Sequence, residues 1–335
     1  VEKFRKAIYI LLCVVTVIVM LASVLSVFRD TPNRYLKMLD FPRIQFFIAS
    51  LITLPLFIWD TQRWKWYDYA LVVGLVGGLV IQGRYLINYT PLVSPTVPQA
   101  DASVTTADEV SILLANVYRE NKETQPLIDL IEDKQPDFVV AMEVNAYWDK
   151  GLAPIERDYP YVEKRVNEVG YGMSLYSKFP LENVIVKELN NDKVPSFEAR
   201  VQLDNGREIQ LHTVHPVPPK YFEKLPDNEG QKEVALRKVG DDIAANSLPS
   251  IVAGDLNDVV WGFTDELMET EVDLLDDVRV GRGILSSFDA TSWIMRWPID
   301  HVFVTKEFSV VELERGSDIG SDHFPIYVKL AIPAQ

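Results

Sequence analysis

Residues 7–28 form an uninterrupted run of 22 residues without a charge. A helix rises about 1.5 Å per residue, so a run of this length matches a hydrocarbon core of roughly 30 Å. Two more apolar stretches follow, at residues 44–59, which include Pro55, and at residues 69–87, with Arg84 near the end. The pattern predicts about three transmembrane helices. Trp59, Trp64, Trp66, Tyr67 and Tyr69 cluster between the second and third, as in an interfacial aromatic belt. Gly74 and Gly78 form a GxxxG spacing that lets helices approach closely. Cys13, the single cysteine, lies in the first run; an intrachain disulfide framework and a thiolate zinc cluster are both excluded.

Charge divides the chain at the same place. Residues 1–100 carry 10 Lys/Arg and 5 Asp/Glu, which leaves 23 and 43 for residues 101–335, a net charge of −20. Such an acidic portion argues against avid, non-specific duplex binding, which rests on Lys and Arg against phosphates. Residues 89–109 hold three prolines, several Ser and Thr, and no Lys or Arg. They read as an extended linker between a membrane region, 1–88, and a globular domain, 110–335. Basic residues are even across the spans: Lys3, Arg5, Lys6, Arg63 and Lys65 against Arg29, Arg34, Lys37, Arg43 and Arg84. The cluster leading the first span favours a cytoplasmic N-terminus. Three spans then put the rear domain on the extracytoplasmic side of a bacterial inner or plasma membrane.

From Val110 onward, short apolar runs alternate with turns and polar helices. Strands are expected at 110–117, 137–143, 172–176, 184–189, 197–203, 208–214, 250–253, 299–304, 310–313 and 326–330, and helices at 122–133 and 231–245. Several strands follow one another without a helix between them, which fits paired sheets with helices outside. Polar residues stand where these strands stop: Asn116, Glu143, His212 with His215, Asp255 with Asn257, Asp300 with His301, and Asp322 with His323. Singly, each has a plain reading as a turn former, an exposed strand end or a sheet histidine. Together, hard oxygen ligands, amides and histidines are the materials of metal-assisted phosphoryl chemistry.

Six segments in order carry a resemblance: Leu114-Ala-Asn-Val117, Val140-Ala-Met-Glu143, Leu211-His-Thr-Val-His-Pro216, Ala253-Gly-Asp-Leu-Asn-Asp258, Ile299-Asp-His-Val-Phe303 and Gly320-Ser-Asp-His-Phe-Pro325. Gly172–Pro180 adds a strand ending in Ser-Lys-Phe-Pro. Over roughly residues 110–332 the chain resembles the endonuclease/exonuclease/phosphatase superfamily, similar to deoxyribonuclease I and neutral sphingomyelinases. The resemblance implies an α/β (α+β) four-layer α/β/β/α sandwich with its site at one mouth of the two sheets. It also implies Mg²⁺, with Mn²⁺ or another divalent cation as substitutes. Glu143 is then the principal metal ligand, with Asn116 beside it and Asp322 able to approach. Asp255 deprotonates the attacking water and Asn257 holds that water or a phosphate oxygen. His323 donates to a non-bridging phosphate oxygen and Asp300 fixes its tautomer. His215 contacts the phosphate or leaving group; His212 is the competing choice, and the His-Pro that closes the strand favours His215.

Candidates for substrate binding are Trp261, Arg282, Trp293 and His212. The expected activity is hydrolysis of a phosphodiester, with a phospholipid or small phosphodiester preferred to a long nucleic acid. A nuclease and a catalytically inactive, membrane-anchored binding module are the alternatives; none of the metal or histidine positions is broken, which weighs against the latter.

Overall fold

In the computed structural model, residues 2–31, 33–101, 104–218, 231–268 and 275–333 are described. Residues 102 and 103 of the expected linker lie outside them.

The front of the chain is a bundle of three long helices, α1 (Glu2–Leu25), α3 (Arg43–Asp60) and α4 (Trp66–Leu86), with a short turn of helix, α2 (Arg34–Lys37), between the first two. All three long helices are of sufficient length and apolar character to cross a membrane. They pack pairwise, and the glycines of the GxxxG spacing face α1. A Cβ on Gly78 would lie 3.2 Å from the Ser23 hydroxyl oxygen, and one on Gly74 only 2.3 Å from the Met20 sulfur. Small residues here let the backbones approach.

The rest alternates as the hydrophobic pattern requires. Its elements are β1 (Glu109–Asn116), α5 (Gln125–Lys134), β2 (Phe138–Met142), α6 (Ala146–Leu152), β3 (Tyr161–Arg165), β4 (Met173–Ser177), β5 (Leu181–Lys187), β6 (Ser196–Gln202), β7 (Glu208–Thr213), α7 (Gln231–Ala244), β8 (Ser250–Asp255), α8 (Phe263–Glu266), β9 (Asp276–Asp277), β10 (Asp300–Val304), β11 (Ser309–Arg315) and β12 (Ile326–Ala331). They build two six-stranded mixed sheets, ordered β11-β12-β1-β2-β4-β3 and β5-β6-β7-β8-β10-β9. Each has one parallel pair, β1–β2 and β7–β8, joined through α5 and α7. A parallel pair needs a crossover, and these two helices supply it on the outer faces.

Between the sheets lies the main core, with Ile112, Leu114 and Val140 from one and Leu211, Ile251 and Ala253 from the other. Residues of opposite parity on the first sheet, such as Leu113 and Val139, pack against Leu127 and Ile131 of α5 and Trp148 of α6. On the second, Val252 packs against Leu236 and Val239 of α7. Both faces of the central strands are therefore buried, which is why they read as continuous apolar runs. This is the expected four-layer sandwich. In the sandwich four elements went unread in the sequence: α6, α8 and β9, which are short, and β3, an edge strand whose Glu163, Lys164 and Arg165 break the apolar pattern.

The linker segment lies against the sandwich. Val97 is buried in the inter-sheet core, Gln99 pairs with Val310, and Arg282 donates to the Val97 carbonyl at 2.7 Å. One end of the helical bundle is docked on the sandwich as well. The Trp261 indole N–H donates to the Asp40 carbonyl at 2.8 Å, and the Tyr89 hydroxyl donates to the Val260 carbonyl. Arg29 donates to the carbonyls of Trp261 and Gly262, both at 3.1 Å. At this end Arg43, fully buried, is bonded by Asp40, the Ser26 hydroxyl and the Gln82 amide oxygen, and lies over the Tyr85 ring at 3.9 Å. The Arg5–Asp60 ion pair marks the opposite end.

Candidate active site

Strand ends bring the polar residues together. β1 of one sheet stops at Asn116 and β8 of the other at Asp255, and the Asn116 amide donates across the gap to Asp255 Oδ2 at 3.0 Å. The same amide donates to Glu143 Oε1 at 3.3 Å, just beyond the end of β2. Glu143 has a φ of +62°, a left-handed conformation that costs a glutamate about 1 kcal/mol or more. It turns the carboxylate back to accept from the Arg119 N–H at 3.2 Å.

Gly254 is required by a close approach. A Cβ there would lie 1.8 Å from the Val214 carbonyl oxygen, so only glycine lets β8 run past the end of β7. Asn257 follows at φ +52°, which asparagine tolerates, and its amide donates to the Pro216 carbonyl at 2.9 Å. The Ser-Asp-His loop is pinned by Ser321, whose hydroxyl donates to the Asn116 carbonyl at 2.7 Å and accepts from the His323 N–H at 3.0 Å.

His323 is the centre of the electrostatics. Its Nδ1 is 2.9 Å from Asp300 Oδ2 and its Nε2 is 3.6 Å from Asp255 Oδ2. Burial alone would lower its pKa, but the charges of Asp300 and Asp255 outweigh burial and raise it to about 10. Asp300 shows the reverse: burial would raise it, and His323 holds it below the usual carboxylate range. Both directions describe an imidazolium–carboxylate pair. His215 lies on the other side of Asp255, with Nε2 at 3.7 Å from the same oxygen and its ring 5.2 Å from that of Tyr171. Burial, followed by repulsion from His323, lowers its pKa to about 3, so this histidine is neutral.

Burial also raises the pKa of Glu143, Asp255 and Asp322. Three carboxylates, Asp255 buried and Glu143 and Asp322 partly so, are thus short of positive charge, a deficit that a hard divalent cation among oxygen donors meets. Asp255, Asp300 and His323 also present potential ligand atoms within 4.8 Å of one another. The His323–Asp300 bond engages two of those three; the carboxylates that line the cleft are Glu143, Asp322 and Asp255.

These groups open on a cleft of about 620 Å³ that Glu143, His215, Asp255, Asn257, Asp322 and His323 line. The four residues expected to bind substrate do not line it. His212 pairs with Val252, so it faces α7 on the outer side of the sheet. Trp261 is buried and holds the helical bundle. Arg282 is spent on the carbonyls of Val278 and Val97. Trp293 is 93% exposed on a loop beside the cleft. In their place stand Tyr118, Arg119, Tyr171 and Phe288 and, from the connection between α1 and α3, Met38, Phe41 and Pro42. Tyr118 and Arg119 had a signal, since they follow Asn116 at a strand end. The helix-connection residues had none.

A profile of the Endonuclease/Exonuclease/phosphatase family matches residues 113–323. No curated protein matches the chain in sequence. Among solved structures, D. rerio TDP2 complexed with a single-strand DNA product is similar at 16% identity and a TM-score of 0.54, over 66% of this chain and 98% of that one. An endonuclease/exonuclease/phosphatase from Beutenbergia cavernae is similar at 18% identity and 0.53, over 67% and 72%. The human Nocturnin catalytic domain with bound sulfate is similar at 14% and 0.52, over 70% and 97%. At these identities the likeness is one of fold. The profile match spans most of the sandwich and includes all six strand-end segments but the last two residues of one; the chain belongs to the Endonuclease/Exonuclease/phosphatase family.

Proposed function

We propose that the protein is a membrane-anchored, divalent-metal-dependent phosphodiesterase that directs water at the phosphorus of a phospholipid or small phosphodiester. The observation that carries this reading is the buried His323 held between two carboxylates. It is bonded to Asp300 at 2.9 Å and stands 3.6 Å from Asp255 at the cleft that Glu143 shares.

Glu143, with Asp322 and Asn116, would hold Mg²⁺ or Mn²⁺. Such a cation supplies charge to a phosphoryl oxygen and makes bound water more acidic. Asp255 takes the proton of the attacking water; its pKa, pushed up to about 7 by burial against the opposing charge of His323, suits a general base near neutrality. Asn257 orients that water or a phosphate oxygen. Asp300 engages Nδ1 of His323, which leaves Nε2–H to donate to a non-bridging oxygen as negative charge builds there. His215, uncharged, offers a contact to the phosphate or the leaving group.

Anchoring rests on the three apolar helices. The N-terminus and the sandwich are at opposite ends of that bundle, and the basic cluster at Lys3, Arg5 and Lys6 favours a cytoplasmic N-terminus, hence an extracytoplasmic catalytic domain.

The test uses the full chain in detergent with Mg²⁺. Substrates are bis(4-nitrophenyl) phosphate, phosphodiester lipids, single- and double-stranded DNA, and a phosphomonoester. Phosphodiester turnover that EDTA abolishes, and that Asp255→Ala or His323→Ala lowers by about 10²–10⁴, is expected. A loss of only a few-fold in correctly folded variants would refute the assigned roles. Preference for DNA would select the nuclease reading instead.

A further inference from the structure

Part of the cleft wall is made by the helical bundle. Met38, Phe41 and Pro42 line it, and Pro42 is immediately followed by Arg43, the first residue of α3. Phe288, Met295 and Trp297 line the same cleft. The two groups are packed together: the rings of Phe41 and Trp297 are 5.5 Å apart, edge to face, and Phe288 links Trp297 to His323. An apolar surface therefore runs from His323 to where a membrane-crossing helix begins.

The loop before β10 is set at the same level. The Gln45 side chain, on the first turn of α3, donates to the Ile294 carbonyl at 2.6 Å. This holds Trp293, Ile294 and Met295 beside the helix with 93%, 74% and 44% of their surfaces exposed. Three consecutive exposed apolar side chains are costly in water. Next to the first turn of α3, they are at the depth where a leaflet's interface would be, and there a tryptophan is favoured.

We infer that the cleft takes a lipid phosphodiester sideways from the leaflet around α3. Its apolar chain lies along the surface that Met38–Pro42 and Met295–Trp297 form, its phosphate reaches His323 and Glu143, and Trp293 and Ile294 are immersed beside it. This rests on the phosphodiesterase reading and narrows it to a membrane-resident substrate. A water-soluble polyanion would gain nothing from an apolar surface, and would meet a domain of net charge −20.

The probe is phosphatidylcholine carrying a diazirine on an acyl chain, in vesicles reconstituted with the full chain. Photolabelled peptides are mapped by mass spectrometry. Label is expected on residues 38–42 and 293–297 as well as on the outer face of α4, where Val73 and Val80 are exposed. A Met38→Glu, Met295→Glu double variant, changed only at partly exposed side chains, should lose at least ten-fold of the cleft label and keep that on α4. Label confined to the helices, or cleft label unchanged in the double variant, overturns the inference. Labelling needs no turnover, so failure of the hydrolase reading shows separately, as absent metal-dependent hydrolysis of bis(4-nitrophenyl) phosphate.

Discussion

Lys232→Met tests how the segment that follows the Gly-Asp-Leu-Asn motif is held. Lys232 Nζ is 2.8 Å from Asp258 Oδ2, with side chains 4% and 8% exposed. Asp258 also accepts from the Thr264 hydroxyl at 2.7 Å, and its neighbours Val259, Val260 and Trp261 carry the dock to the helical bundle. Burial would raise the Asp258 pKa, yet the charge of Lys232 outweighs it and holds the carboxyl below its usual range. Burial would lower Lys232, and Asp258 outweighs it in turn. The pair is therefore ionised. At this separation the attraction is about 6 kcal/mol at an effective dielectric of about 20, largely offset by the desolvation of both ions. Removing one partner leaves the other charge buried, and the expected loss is about 3–5 kcal/mol. Lys232→Met with Asp258→Leu removes both charges and should recover part of that loss. The assay is urea unfolding of the full chain in detergent at pH 7, followed by tryptophan fluorescence. The penalty should also shrink toward low pH. Without Lys232 the Asp258 pKa rises, and once protonated the lone carboxyl no longer carries a buried charge. A single variant within about 1 kcal/mol of the parent, or a double variant no better than the single, would refute the reasoning.

Two further outcomes follow from other sites. His212 is pushed down to about 4 by burial, against the opposing charges of Glu198 and Asp242, from an ordinary value near 6.5. The unfolded chain then binds more protons between those values, so stability is full above about pH 6.5 and falls as pH drops toward 4, by about 3 kcal/mol across the window. His212→Gln should flatten that fall in unfolding measurements from pH 7 to 4.5, and an unchanged slope would remove His212 as its source. Gly254→Ala drives a Cβ to within 1.8 Å of the Val214 carbonyl oxygen. It should cost about 3 kcal/mol or more as overpacking between two backbones, and displace Asp255 with loss of turnover; a variant that unfolds and turns over like the parent would show that β7 and β8 can part there.

Most of the sandwich was legible because its signals are local. Central strands buried on both faces read as short apolar runs, and the crossover helices alternate with them at a different period. β3 was not, because an edge strand half in solvent carries Glu163, Lys164 and Arg165 where an apolar run would be. Much of the site was legible for a related reason. Where a buried strand reaches the mouth of the sandwich the apolar run gives way to a polar residue, so Asn116, Glu143, Asp255 and Asp300 mark strand ends in the sequence itself. Of His212 and His215 only the second lines the cleft, a matter of strand register: His212 shares the face that packs on α7, whereas His215 lies beyond the end of β7.

By itself, then, the sequence determined the apolar helices, the strands and the polar residues that end them, since each depends on neighbours a few positions away. Only the tertiary structure decided what walls the cleft. Trp261 meets Asp40, and Gln45 meets Ile294, across more than 200 residues of chain. No periodicity encodes such contacts, because they are set by how the helical bundle docks on the finished sandwich. That docking turned Trp261 from a candidate substrate contact into an anchor, and it put Met38, Phe41 and Pro42 on the wall of the cleft that Glu143, Asp255 and His323 also line.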